Sequence, residues 1–127
     1  MAENNICSFC KSTEETLIHL FWNCQTSRNI WNLLFIWFYD RTGIQIHVTP
    51  SQIMLGIVDY IEENMSILNL LFIITKQYLY ACRCLGSTPY FDALLYRIYN
   101  CEKIEGSIAE HKGKLVTHQN KWNPLLL

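Results

Sequence analysis

Cys7-Ser8-Phe9-Cys10, then His19, then Cys24 form a C-x2-C-x8-H-x4-C quartet within 18 residues, and no other feature limits the fold as tightly. Zinc takes four soft or borderline donors in a tetrahedron, commonly three Cys and one His, and two cysteines two residues apart can turn toward one ion. Between the second and third ligands stands Ser12-Thr13-Glu14-Glu15. Its Ser and Glu three residues apart have the form of a capping box and predict a helix from Thr13. That helix would carry His19 on one face and deliver Cys24 just past its end. Protein fills all four positions, which predicts one closed, structural zinc ion and leaves no place for an activated water.

The remaining cysteines, Cys82, Cys84 and Cys101, are expected to be buried thiols. Helix positions two apart point about 200° from each other, so Cys82 and Cys84 are poorly placed to share an ion. Six cysteines could also make three disulfides. The opening Met-Ala-Glu-Asn-Asn has neither the basic nor the apolar part of a secretory signal. The expected setting is therefore intracellular, nucleus or cytoplasm, and not secreted. In a reducing compartment a Cys-x-x-Cys with downstream His and Cys reads as a metal site.

The length of 127 residues suits a single domain, read as a zinc-binding unit plus Trp-rich helix over 1–43 and a helical remainder over 44–127. Half the residues are hydrophobic, enough for a core without disulfides. Only 17% are charged, which leaves apolar surface for a partner. Thr26-Ser27 predicts a helix from about 27 to Arg41, stopped by Gly43. From Ile30 to Tyr39 it is apolar on nearly every face, the pattern of a helix buried all round. Ile44-Gln45-Ile46-His47-Val48 alternates and reads as a loop or short extended piece.

Thr49-Pro50-Ser51-Gln52 supplies an N-cap, a Pro at the first helical position and a Gln three residues after the cap, predicting a short helix over 50–56. Asp59 is expected to cap a helix over about 60–84, and Pro89 to open one over about 89–112. The second carries a stripe of Phe91, Leu94, Leu95, Ile98, Tyr99, Ile104 and Ile108. These two should pair antiparallel, with Leu71 and Leu95 between them. Residues 114–127 read as a short basic tail. The apolar run Leu70 to Ile74 falls far short of the roughly 20 residues a membrane span needs, so no membrane is expected. The fold class is mainly α, a small N-terminal Cys3His zinc knuckle packed on a compact helical domain.

After the Cys-x-x-Cys pair the chain reads Glu15-Thr16-Leu17-Ile18-His19-Leu20-Phe21-Trp22-Asn23-Cys24, then Ile30-Trp31 and Trp37. This resembles the zinc-binding region at the C-terminal end of reverse transcriptases from LINE-type (non-LTR) retrotransposons. There a Glu-Thr-x-x-His-Leu-Phe-x-x-Cys stretch follows a Cys-x-x-Cys pair and leads into a Trp-rich helix. The resemblance covers Cys7 to about Trp37, roughly a quarter of the chain. A weaker echo runs through Leu68-Asn69-Leu70-Leu71, Lys76, Arg83 and Lys121-Trp122. It implies a non-catalytic accessory region that helps hold template RNA or target DNA near the polymerase during target-primed reverse transcription. Its partners would be RNA or DNA and the remainder of the reverse transcriptase polyprotein. The x8 gap departs from the x4 gap of retroviral nucleocapsid knuckles, so their way of binding bases does not carry over.

A net charge of −1 argues against a strongly basic nucleic-acid binder. Its distribution is uneven: residues 1–64 hold three Lys/Arg against seven Asp/Glu, and residues 65–127 hold seven against four. Candidate phosphate contacts are Lys76, Arg83, Lys112, Lys114 and Lys121, with Trp122 as a stacking partner. The bland readings are snorkelling for Lys76 and Arg83 and a core anchor for Trp122. Trp22, Trp31 and Trp37 are expected in the core, and His47, His111 and His118 on the surface. Asp40, Asp59 and Asp92 are too scattered for the close carboxylates that hold a polymerase's magnesium pair. With no P-loop or nucleophile elbow either, the chain is not expected to be an enzyme by itself. The alternative function is a helical protein-docking module stabilised by structural zinc.

Overall fold

Local capping chemistry opens one short helix and closes the long helix before it. Thr49 opens α2 (Pro50–Leu55) with both halves of a capping box: its hydroxyl accepts the Gln52 amide at 3.3 Å, and Gln52 Oε1 accepts the Thr49 amide at 2.9 Å. Gly43 stops α1 (Gln25–Thr42) at φ 73°, a left-handed conformation that costs glycine little. The computed structural model describes residues 5–57 and 64–125. Among these follow α3 (Asn64–Leu85), α4 (Phe91–His111) and α5 (Leu115–Trp122), with a π-helical segment at His19–Asn23 and a 3-10 turn at Asn123–Leu125. Extended pairing is limited, among the described residues, to one antiparallel bridge between Ile6 and Glu14. The protein is mainly α. The Asp59 cap lies outside the described residues.

Helices α3 and α4 pair antiparallel. Arg97 lies over the Tyr78 ring at 5.2 Å, and Ile74 shares a groove with Cys101 and Ile104, so rising numbers in one helix meet falling numbers in the other. The turn between them is tied by the Tyr78 hydroxyl, which accepts the Tyr90 amide at 2.8 Å. One core joins all these elements. Trp31, Leu34 and Phe38 of α1 meet Ile67, Leu71, Phe72 and Leu79 of α3, Leu94 and Ile98 of α4, and Trp122 and Leu125 near the C-terminal end. Trp31 meets Phe72 edge-on at 5.6 Å, the arrangement that ring quadrupoles favour.

Four expectations need correction. The helix at the metal ligands does not begin at Thr13: Thr13 O accepts the Cys7 amide and the Glu15 amide bonds Asn5 O, so residues 13–15 are held extended against 5–7. Helical geometry starts at Leu17, where the Thr16 hydroxyl accepts the His19 amide at 3.1 Å. Secondly, α1 is not buried all round: Leu33, Ile36 and Tyr39 are 44%, 59% and 52% exposed, because the other described helices gather on its opposite side. Thirdly, Leu94 and Ile98 are the fully buried residues of α4, and Leu95 only borders the core. Beyond Cys101 the packed side of α4 turns to α5, leaving Ile104 and Ile108 exposed.

The fourth correction is the tail, which forms α5. His118 and Trp122, four residues apart and hence on one helix face, both point into the protein. Gly106 of α4 makes room for the first of them, since a Cβ there would stand 3.1 Å from His118 Nε2. His118 is therefore buried, contrary to its expected place on the surface.

Candidate metal centre

Cys7 and Cys10 come from a turn closed by the Lys11 amide bonding Cys7 O at 3.0 Å, with Lys11 itself at φ 55°. His19 and Cys24 bracket the π-helical segment, and the Cys24 amide bonds His19 O at 2.7 Å. In a regular α-helix two residues five apart diverge by roughly 140° around the axis. The wider π turn, followed by extended backbone at Cys24 (φ −63°, ψ 134°), brings both donors to the same side. Below them Ser27 donates to Leu20 O, and Trp31 Nε1 donates to Phe21 O at 2.5 Å, which ties the segment to α1. Arg28 lies over the Trp22 ring at 4.3 Å.

The four donor atoms all lie within 4.8 Å of one another. Cys7 Sγ is 3.8 Å from Cys24 Sγ, and Cys10 Sγ is 3.4 Å from His19 Nε2. A tetrahedral ion with metal–sulfur bonds near 2.3 Å and metal–nitrogen bonds near 2.0 Å has edges of about 3.8 Å between sulfurs and about 3.5 Å from sulfur to nitrogen. The quartet thus has the dimensions and chemistry of a single-ion site. Cys7 and Cys24 are buried and Cys10 and His19 half-buried, so the site lies at the inner edge of the knuckle. Hydrogen bonds from the Ser12 hydroxyl and amide bring the Cys10 thiol down to about 5, toward the thiolate form that a metal requires. Burial pushes the Cys7 thiol up, and a bound cation would offset that penalty. Cys82, Cys84 and Cys101 stand outside the cluster, but only Cys82 is the buried thiol expected: Cys101 is half-buried and Cys84 is exposed at the end of α3.

Sequence reasoning missed Glu15. Its carboxylate is 1% exposed, accepting from the Ser8 amide at 3.0 Å, from the Ser8 hydroxyl at 3.1 Å and from Arg83 Nε. Burial opposes the charged carboxylate, yet the bonds from Arg83 and Ser8 outweigh it and hold its pKa below the ordinary carboxylate range. Nothing local marks it, because the partner that holds it, Arg83, lies 68 residues along the chain.

The residues read as phosphate contacts separate into two groups. Lys76 donates to Met54 O at 2.9 Å at the end of α2, and Arg83 is engaged by Glu15. Trp122 is 3% exposed and donates to Glu105 at 3.0 Å, so its placement is that of a core anchor and not of an open stacking platform. Lys121 pairs with the same carboxylate at 2.8 Å. Lys112 and Lys114 are exposed, and with Lys121, Thr117 and His118 they line one cleft of about 300 Å³ at the elbow between α4 and α5. His118 reaches Glu102 at 3.1 Å.

Among the described residues no helix is long and apolar enough to cross a membrane. No family model, no curated protein and no solved structure matches this chain.

Proposed function

We propose that the metal is zinc, that its role is structural, and that the chain is a non-catalytic accessory region of a retrotransposon reverse transcriptase that helps position template RNA or target DNA. The convergence of Cys7, Cys10, His19 and Cys24 on one point carries the first half of this reading. Four protein donors complete the tetrahedron, so a zinc ion here would brace the knuckle and present no open position for substrate. The nucleic-acid half is supported by the resemblance of residues 7–37 and by the elbow, where Lys112 and Lys114 stand beside Lys121 in one cleft. The acidic balance of residues 1–64 would repel a strand and confine contact to that end.

A second reading has its own support. Leu33, Ile36 and Tyr39 form an uncovered apolar face on α1, beside a groove of about 650 Å³ lined in part by Phe35 and Ile46. A face of this kind suits docking onto a polymerase body or another protein. The deciding experiment is metal analysis of the purified chain together with titration against mixed-sequence RNA and DNA at several salt concentrations. Phosphate-driven binding weakens steeply with salt, and apolar docking does not. Zinc at one equivalent with salt-sensitive binding is the expected result. A zinc-loaded chain that ignores both nucleic acids at low salt overturns the nucleic-acid role and leaves the docking module.

A further inference from the structure

Glu15 is the buried carboxylate among the described residues, and the knuckle is built around it. Its oxygens take both polar hydrogens of Ser8, the residue that follows Cys7 and precedes Phe9 and Cys10 in the turn. The remaining contact comes from Arg83, 68 residues along the chain, in the last turns of α3. Glu15 does not belong to the donor cluster itself. It holds the backbone that carries two of the four donors, and it is held in turn by a helix that contributes Leu71, Phe72 and Leu79 to the core.

We propose that Glu15 is a positioning residue for the metal centre, and that Arg83, through Glu15, sets how tightly that centre holds its ion. The physical reason lies in burial. A carboxylate out of water needs its partners, and removing one of them leaves an uncompensated charge that draws in water or shifts the chain. The chain beside Glu15 is the ligand turn, and donor spacings of 3.8 Å and 3.4 Å leave little slack for a tetrahedral ion. Groups that orient ligands from behind commonly change metal affinity 10- to 100-fold when mutated. Metal retention and the attachment of α3 are thereby one linked equilibrium: the ion orders the Ser8 turn, the turn completes the Glu15 site, and Glu15 fixes Arg83.

This inference rests on the reading of the quartet as a metal site. The test uses the full chain, with zinc affinity measured by chelator competition and cobalt(II) as a spectroscopic probe of the tetrahedral field. E15Q and R83Q should each weaken zinc binding 10- to 100-fold, with helicity at saturating metal unchanged and the cobalt spectrum altered. R83K, which keeps the charge but not the planar fork, should lose less than R83Q. The double variant should lose no more than the worse single one, because the two residues act as a unit. R97Q removes an equal charge from α4 and should leave affinity at the parent value. If E15Q fails to fold even at saturating zinc, the comparison of R83Q with R83K decides. Equal affinities in parent, R83Q and R83K overturn the role of Arg83 acting through Glu15 while the metal site stands. A parent chain that binds no metal overturns the site itself.

Discussion

The Cys/His knuckle and the α5 elbow solve the same problem in opposite ways. Each is a short segment, residues 5–24 and 115–125, too small to bury a core of its own, and each is fastened to a long helix through glutamate. At the knuckle the carboxylate is Glu15, buried, with its partner Arg83 on a helix far along the chain. At the elbow the carboxylates are Glu102 and Glu105, whose side chains are 30% and 37% exposed. An ion pair as exposed as Lys121–Glu105 contributes about 0–1 kcal/mol, so α5 must be held chiefly by something else. That is Trp122, with its indole in the core. The knuckle also buries Leu20 and Trp22, and what it has in addition is the donor quartet, with Cys7 and Cys24 buried.

The largest effect should therefore follow metal removal. Structural zinc commonly contributes about 10–16 kcal/mol of apparent binding energy, more than most small domains have in total stability. Chelation should abolish amide-exchange protection over residues 7–37 and change the fluorescence of the Trp22–Trp31 pair, whose rings are 6.0 Å apart. The α4–α5 elbow should keep more of its protection than the knuckle. Exchange that is indifferent to chelator would break the comparison at its root.

Next comes the anchor of the elbow. Trp122→Ala should cost about 3–5 kcal/mol, as for other buried aromatic truncations. Glu105→Gln, which discharges the Lys121 pair but keeps an acceptor near the indole N–H, should cost about 1 kcal/mol or less. Denaturant unfolding of the metal-loaded chain measures both. If the glutamate change is the more damaging, the elbow depends on a carboxylate, as the knuckle depends on Glu15, and the contrast disappears.

Between these regions, the α3–α4 interface gives a sharper internal check. Leu94→Ala should cost about 2–5 kcal/mol, because Leu94 is wholly buried. Leu95→Ala should cost clearly less, since Leu95 only borders the core. Equal losses in thermal melts would mean that α4 is rotated about its axis relative to this packing.

The sequence made the helices and the ligands legible for different reasons. Thr49-Pro50-Ser51-Gln52 acts locally, so its capping box could be read from four residues and it formed as read. The ligand quartet was legible because coordination demands particular residue types at particular spacings. Ser12–Glu15 misled because the same letters that cap a helix also serve a hairpin. The competitor that won, Glu15 with Arg83, spans 68 residues and leaves no local trace. The tail misled for a similar reason: the helical character of residues 115–122 depends on a surface offered by Glu102, Glu105 and Gly106 of α4. Periodicity in α1 and α4 located apolar residues correctly but could not say which would find a partner. Leu33, Ile36, Ile104 and Ile108 did not, among the described residues.

The smallest expected effect on stability belongs to Lys112 and Lys114, and it separates anchoring from binding at the elbow. Neither lysine is buried, and substitutions at such positions usually change stability by no more than about 0.5 kcal/mol. Replacing both with Gln should leave the unfolding curve in place. If they contact phosphate, the log–log salt dependence of binding should flatten by about 0.7 per lysine for a single strand or about 0.9 for duplex. Adding Lys121→Gln should contribute less than a full further step, because Glu105 already occupies that ammonium group at 2.8 Å. The triple variant should also begin to loosen α5, where the double variant does not. A double variant with an unchanged slope in a chain that still binds nucleic acid would move the contact away from the elbow. A double variant that melts early would show that these lysines fasten α5 after all, as Arg83 fastens the knuckle.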